Sequence, residues 1–258
     1  MNFMSKLAKG LLSTALALAV AAPALADGKI TVGGKGALFD GTSRLSIGEE
    51  KIHHYLGAST FSEKVVVPAT GAIKVRDDAP LEATSLVGCA LASGVGAVQN
   101  TARVPAGATV AVIGCGGVGL SCIQGARLAG ASQIVAVDVR ADKLELATGL
   151  GATDTIDALA GDPVEQLRAL VPDGLDFVFD AVGEISTTEQ AIAALGPGGA
   201  AVLVGLPPSG SHARFDPMSL VEADQRILGS FYGSIVPQRD IPKLVDLVVA
   251  GQLDLESM

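Results

Sequence analysis

The sequence predicts an α/β fold whose larger part is a doubly wound parallel sheet covered by helices on both faces. Three observations carry this. From Pro105 onward, short apolar runs alternate with segments in which apolar residues recur at helical spacing. A glycine-rich turn joins the first run to the first helix. The composition is 49% hydrophobic but only 3% aromatic, with 32 glycines in 258 residues. Small aliphatic side chains in that proportion suit closely packed layers.

The elements follow in order. Thr109 to Ile113 reads as a buried strand and Val118 to Ala129 as a helix. Gln133 to Asp138 is a second strand and Asp142 to Leu150 a second helix. Thr153 to Ile156 reads as a short third strand, followed by a helix from Pro163 to Val171 with proline in its first turn. Asp176 to Ala181, Ala200 to Gly205 and Arg226 to Phe231 are the remaining strands. Helices from Thr187 to Leu195 and Ile241 to Ala250 complete the pattern. Upstream, Gly28 to Gly48 is polar and glycine-rich, and Phe61 to Val67 and Ala72 to Val75 are short β-like runs.

Composition excludes several classes of function. The aliphatic content is too high for a disordered chain, and the glycines follow no three-residue period. A formal net charge of −9 argues against broad attraction to nucleic acid or anionic membrane. Three cysteines do not make a disulfide scaffold. Residues 1–26 stand apart: Lys6 and Lys9 precede an uncharged run from Gly10 to Ala22, and Ala24-Leu25-Ala26 ends it. A basic start, a short apolar run and an Ala-x-Ala end form an export-leader pattern, with cleavage expected after Ala26. An N-terminal core helix is the alternative. After cleavage no membrane-spanning stretch is expected.

Between the first strand and helix lies Gly114-Cys115-Gly116-Gly117-Val118-Gly119, a G-x-G-x-x-G. Gly114 permits a tight turn, Gly116 lets a pyrophosphate approach the backbone, and Gly119 lets the helix pack on the strand. The helix N-terminus then presents free amides and a positive dipole end. Asp138 ends the second strand about 20 residues further on, where a carboxylate bonds the adenosine ribose hydroxyls. Strand, turn, helix and carboxylate together predict a dinucleotide-binding Rossmann unit. The carboxylate favours NAD over NADP, whereas Arg140 nearby would attract a 2′-phosphate or stand as a solvated loop charge.

The ordered motifs resemble the zinc-dependent medium-chain alcohol dehydrogenases, in the branch of class III, glutathione-dependent formaldehyde dehydrogenases. The resemblance is carried by Phe39-Asp40-Gly41-Thr42-Ser43-Arg44, His53-His54-Tyr55-Leu56-Gly57 and Ser59-Thr60-Phe61-Ser62-Glu63. It continues through Leu86-Val87-Gly88-Cys89, Ser93-Gly94-Val95-Gly96-Ala97, the glycine turn, Phe179-Asp180-Ala181-Val182-Gly183 and Val204-Gly205-Leu206-Pro207-Pro208. It implies a Rossmann domain joined to a GroES-like β-rich catalytic domain, and hydride transfer between an alcohol or hydroxymethyl adduct and NAD with zinc as Lewis acid. Carried over residue by residue, Cys89 looks like a catalytic zinc ligand and Ser93 a residue beside the nicotinamide. Val118 would lie near the nicotinamide ring, and Gly117 belongs to the phosphate turn. Lys143 would assist Asp138, and Val182, Val204, Leu206 and Tyr232 would line the cofactor. Family members act on small alcohols or aldehydes, form homo-oligomers and are cytoplasmic, in conflict with the leader pattern.

The resulting division is a leader-like segment 1–26, a partial GroES-like domain 27–104, a Rossmann domain 105–233 and the start of a return to the catalytic domain, 234–258. The family's N-terminal segment, with its other zinc ligands, has no counterpart here. The expectation is therefore NAD(H) binding with little dehydrogenase turnover, and Cys89 serving either as ligand or as a small buried residue. The competing readings are a non-catalytic NAD(H)-binding module and a zinc-independent reductase of the same superfamily. His53 and His54 are read as packing or surface residues, and His212 as a solvated loop residue. Cys115 and Cys122 are read as reduced filler.

Overall fold

The computed structural model describes residues 17–19, 24–26, 29–31, 37–38, 41–54, 65, 67 and 69–258. The chain divides into two compact units, Met1–Ala79 and Pro80–Met258. The boundary expected at 104/105 falls inside the second.

The first unit carries three small antiparallel pairings. Strand β1 (Ala17–Ala19) pairs with β6 (Ala72–Lys74), and β2 (Ala24–Ala26) with β3 (Lys29–Thr31). The hairpin of β4 (Ser46–Ile47) and β5 (Glu50–Lys51) turns at Gly48, whose φ of 59° lies where glycine is unstrained. Ser43 Oγ donates to the Ile52 carbonyl at 2.7 Å and holds the base of this hairpin. The β-like run at 61–67 and the motif residues 39–40, 55–57 and 59–63 lie outside the described residues, apart from 65 and 67. So does most of the leader-like segment.

The second unit opens with helical segments that periodicity does not reveal. Helix α1 (Leu81–Thr84) leads into a π-helical turn at Val87–Leu91, then α2 (Ala92–Gly96) and a second π-helical stretch at Ala97–Ala102. Arg103, in left-handed conformation at φ 53°, ends the run. The residues from Leu91 to Val98 are all buried, so no polar face marks the helix in sequence.

The sheet consists of β7 (Thr109–Ile113), β8 (Gln133–Asp138), β9 (Asp154–Asp157), β10 (Leu175–Asp180), β11 (Leu195–Leu203) and β12 (Arg226–Gly229). Their spatial order is β12-β11-β10-β7-β8-β9, and every pairing is parallel. This is the doubly wound arrangement, with its switch point between β7 and β10. Helices α3 (Gly117–Ala129), α4 (Ala141–Leu150), α5 (Pro163–Leu170) and α6 (Ile185–Ala193) follow β7, β8, β9 and β10 in turn. Helix α7 (Pro217–Glu222) precedes β12, and α8 (Pro237–Val249) closes the unit.

Alternation along each strand divides the core into two layers. Val110, Val112, Ile134, Ala136, Phe177 and Phe179 pack with Leu120, Ile123 and Ala126 of α3 and with Leu144 and Ala147 of α4. Ala111, Ile113, Val135, Val137 and Val178 face the other way, against Leu167 of α5 and Ala191 and Ile192 of α6. Burial on both faces explains why the strands read as continuous apolar runs. Element ends agree with the sequence to within a few residues except at β11. That strand starts at Leu195, paired with Leu175, and a register shift between Leu175 and Phe177 accommodates the Gly-Pro-Gly-Gly stretch.

Helix α2 crosses α3 at closest approach through Gly94. A Cβ there would meet Ser121 Cβ and the Val118 carbonyl oxygen, and lie 2.7 Å from the Cys122 amide nitrogen. Alanine gains about 1 kcal/mol in helix propensity over glycine, whereas overpacking of this kind costs about 1–3 kcal/mol or more. Two of the obstructing atoms are backbone and cannot rotate away, so sterics prevail. Gly94→Ala is expected to destabilise the protein by about 2 kcal/mol, read as a lowered midpoint in urea unfolding.

Candidate functional site

The sequence folds locally into an anion cradle at the carboxyl end of β7. Gly114 takes φ 92°, turns the chain away from the strand, and donates its N–H to the Val137 carbonyl at 2.8 Å. A side chain at Gly114 would come within 2.5 Å of Val182 Cγ2, and one at Gly119 would collide with the Gly114 carbonyl. Gly116 is different: it is exposed, and nothing lies within 4 Å of where its Cβ would stand. No side chain caps α3 at Gly116. The first-turn amides and the positive end of the helix dipole therefore point into open space, the arrangement that binds phosphate.

Asp138 sits beside the cradle, half-buried at the end of β8. Its Oδ2 accepts from the Cys115 N–H at 2.6 Å, and Oδ1 accepts from the Arg140 N–H at 3.0 Å. Each carboxylate oxygen retains a second lone pair for a ribose hydroxyl. Arg140 is drawn to Asp142 by a two-pronged contact, Nε to Oδ1 at 3.0 Å and Nη2 to Oδ2 at 2.6 Å. That contact raises the Arg140 pKa and lowers that of Asp142. Burial, and secondarily the Asp138 charge, push the Cys115 thiol up to about 12, with Lys143 opposing. Lys143 lies in the first turn of α4.

Across the switch point, Val182 follows β10 and is 45% exposed, while Leu206 follows β11 and is 74% exposed. Val204 is half-buried and donates its N–H to the Asp180 carbonyl at 2.9 Å. Val118, in the first turn of α3, is half-buried. On the other flank Ala90 Cβ would lie 3.3 Å from a Cβ on Gly117, so the π-helical turn bearing Cys89 abuts the helix N-terminus. Ser93 is buried on α2 and Cys89 is exposed. Tyr232 occupies a left-handed conformation at φ 49°, its ring edge-on to Phe231 at 5.1 Å. The adjoining Gly233 packs against Ala92 and Gly96, and its carbonyl accepts from Asn100 Nδ2 at 3.1 Å. Turn, carboxylate and exposed apolar residues lie beyond the carboxyl ends of the strands, the side on which ligands bind in open α/β sheets.

Residues 117–250, just over half of the chain, match the family described as zinc-binding dehydrogenase. The chain belongs to the zinc-binding dehydrogenase family. It is 37% identical over 225 residues to the protein named probable S-(hydroxymethyl)glutathione dehydrogenase 1 in Schizosaccharomyces pombe, covering 86% of this chain and 59% of that one. An alcohol dehydrogenase zinc-binding domain protein from Burkholderia ambifaria superposes with a TM-score of 0.80 at 37% identity, over 86% of this chain and 60% of that chain. A structure from Sinorhizobium meliloti 1021 bound to NADP gives 0.69 at 32% identity, over 75% of this chain and 56% of that one. The chain thus spans less than two thirds of the length of these relatives.

The metal half of the family's chemistry fits these residues poorly. Among the described residues no group of three or more His, Cys, Asp or Glu side chains could hold a metal ion. Zinc needs about three protein ligands, and Cys89, exposed rather than buried, offers one. His53 is exposed and His54 buried. His54 Nε2 accepts from the Arg44 N–H at 3.2 Å. His212 is exposed, as expected of a loop residue.

Asp180 lies in a motif that carries the resemblance, but the sequence assigns it no role of its own. It ends β10, is 1% exposed, and accepts from two amides and two hydroxyls. The signal available was an aspartate closing an apolar strand with a glycine and paired threonines just beyond. The thiols supply a direct test of the site's burial pattern. Cys115 and Cys122 are buried, and burial also raises Cys122 to about 12. At pH 8 both are protonated and enclosed, so a thiol reagent is expected to label one cysteine, Cys89, in native protein and all three after denaturation.

Proposed function

We propose that this chain carries the NAD(H)-binding half of an alcohol dehydrogenase, serving hydride transfer between an alcohol or hydroxymethyl adduct and NAD. The observation that carries it is the uncapped N-terminus of α3 beside an open Gly116, with Asp138 at the end of the neighbouring strand. In this reading residues 105–233 are the dinucleotide-binding domain, with 27–104 and 234–258 as parts of the catalytic domain. Gly114 makes the tight turn, Gly116 and Gly117 let the pyrophosphate approach the first-turn amides of α3, Gly119 seats the helix on the strand, and Val118 lies near the nicotinamide ring. Asp138, with Lys143 nearby, accepts from the adenosine ribose hydroxyls. Val182, Val204, Leu206 and Tyr232 border the nicotinamide half, and Ser93 approaches it from α2. NAD, when bound, supplies the hydride acceptor. The chain's own residues orient it and shield one face from water.

Asp138 and the Arg140–Asp142 pair support NAD over NADP. Arg140 is the nearby cation a 2′-phosphate would seek, and its guanidinium is already shared with Asp142. A second reading is an NAD(H)-binding module without turnover of its own. The substrate is read as a small alcohol or the glutathione adduct named for the yeast relative. A homo-oligomer is read from β12, the outer strand of the sheet, with Met218 and Val221 exposed on the preceding helix.

For location, the leader pattern at residues 1–26 points to export and the family resemblance to the cytoplasm. Among the described residues no helix is long and apolar enough to cross a membrane. Protein isolated from its host that starts at Asp27 would carry the export reading, and a start at Met1 the cytoplasmic one.

Fluorescence titration is expected to show NADH binding more tightly than NADPH. A hydrogen bond to a charged group contributes about 1.5–3 kcal/mol, so Asp138→Ala should weaken NADH about ten- to a hundredfold. Asp142→Ala, which releases Arg140, should narrow the preference for NADH by improving NADPH binding a few-fold. Robust oxidation of primary alcohols by this chain would refute the reading that it lacks turnover.

A further inference from the structure

Asp180 is a fully buried carboxylate, and no cation is among its hydrogen-bond partners. Burying such a charge is costly unless its lone pairs are satisfied. Here Oδ1 accepts from the N–H groups of Val182 and Gly183, both at 3.1 Å, and from the Thr187 hydroxyl at 3.0 Å. Oδ2 accepts from the Thr188 hydroxyl at 2.7 Å. The main-chain carbonyl of the same residue accepts from the N–H groups of Val204 at 2.9 Å and Gly205 at 2.8 Å. The side chain thus fixes the loop after β10, and the backbone fixes the loop after β11.

The two loops also touch through bare backbone. Gly183 takes φ 88°, and a Cβ there would lie 2.5 Å from the Leu206 nitrogen. Val182 is the side chain this arrangement turns outward, toward the turn at Gly114. With the adenosine end of a dinucleotide at Asp138 and its pyrophosphate at α3, the nicotinamide end crosses the switch point onto these loops. Asp138 and Asp180 therefore serve opposite ends of one ligand.

We propose that Asp180 is a positioning residue for the nicotinamide half of the dinucleotide, acting through the Val182 and Leu206 loops and leaving the adenosine half untouched. The inference rests on the dinucleotide reading of the site. The test uses the full chain with two probes, NADH and ADP-ribose, which shares everything but the nicotinamide. Wild type is expected to bind both. Asp180→Ala should weaken NADH at least about tenfold, equivalent to roughly 1.4 kcal/mol, and quench the fluorescence gain of bound NADH, with ADP-ribose affinity changed less than about threefold. Asp180→Asn keeps an oxygen for the two amides, and the Thr188 hydroxyl can reverse to accept from the new amide group. It should restore NADH affinity to within about threefold of wild type. If the alanine variant does not fold, Thr187→Val with Thr188→Val removes both hydroxyl donors and should reproduce the selective loss in milder form. Equal weakening of the two probes, no weakening of either, or a folded asparagine variant as impaired as alanine would overturn the assignment. Wild type that binds neither probe would instead overturn the dinucleotide reading itself.

Discussion

Helix α3 can reach the sheet only because Gly119 lies against the carbonyl of Gly114 without a side chain between them. That approach sets the height of the helix above β7, and with it the positions of Leu120, Ile123 and Ala126 in the layer below. It also leaves the first turn of the helix projecting past the strand ends with its amides unused. A helix standing even one methyl group further out would lose packing on one side and the geometry of the cradle on the other. The same economy recurs where Gly94 meets α3, where Gly96 meets Gly233, and where Gly183 meets Gly205. Much of the unit's glycine content is thus spent at crossings of backbone on backbone.

The parallel sheet was readable from sequence because its central strands β7, β8 and β10 are buried on both faces. Thr109–Ile113 and Gln133–Asp138 have the limits the apolar runs suggest. The helical run through Leu91–Val98 was hidden for the opposite reason, since burial all round erases the amphipathic period. At β11 the expected strand begins at Ala200, beyond the Gly-Pro-Gly-Gly stretch, and pairing of Leu195 with Leu175 extends it back across those residues. Short-range signals fail where a distant partner decides.

At the site, the glycines and Asp138 were legible because a backbone cradle leaves a fixed spacing in the chain. Asp180 left no such mark, for a strand-ending aspartate looks the same whether it meets solvent or four protein donors. The state of Arg140 was equally hidden: only side-chain geometry shows that its guanidinium is already held by Asp142. The resemblance placed Cys89 near a metal, but a ligand set is a property of several side chains in space. Among the described residues that set is not assembled.

The sparse aromatic content has an optical side. The chain has no tryptophan and two tyrosines, one of them Tyr232, edge-on to Phe231 on the strained turn that packs against α2. Nothing in the protein absorbs or emits in the near-ultraviolet band of a reduced nicotinamide. Any light gathered there comes from the ligand alone, and the tyrosine band at shorter wavelength draws in part on a residue at the turn in question. Layers packed tightly enough to do without large rings have left a protein that is nearly dark where its proposed ligand shines.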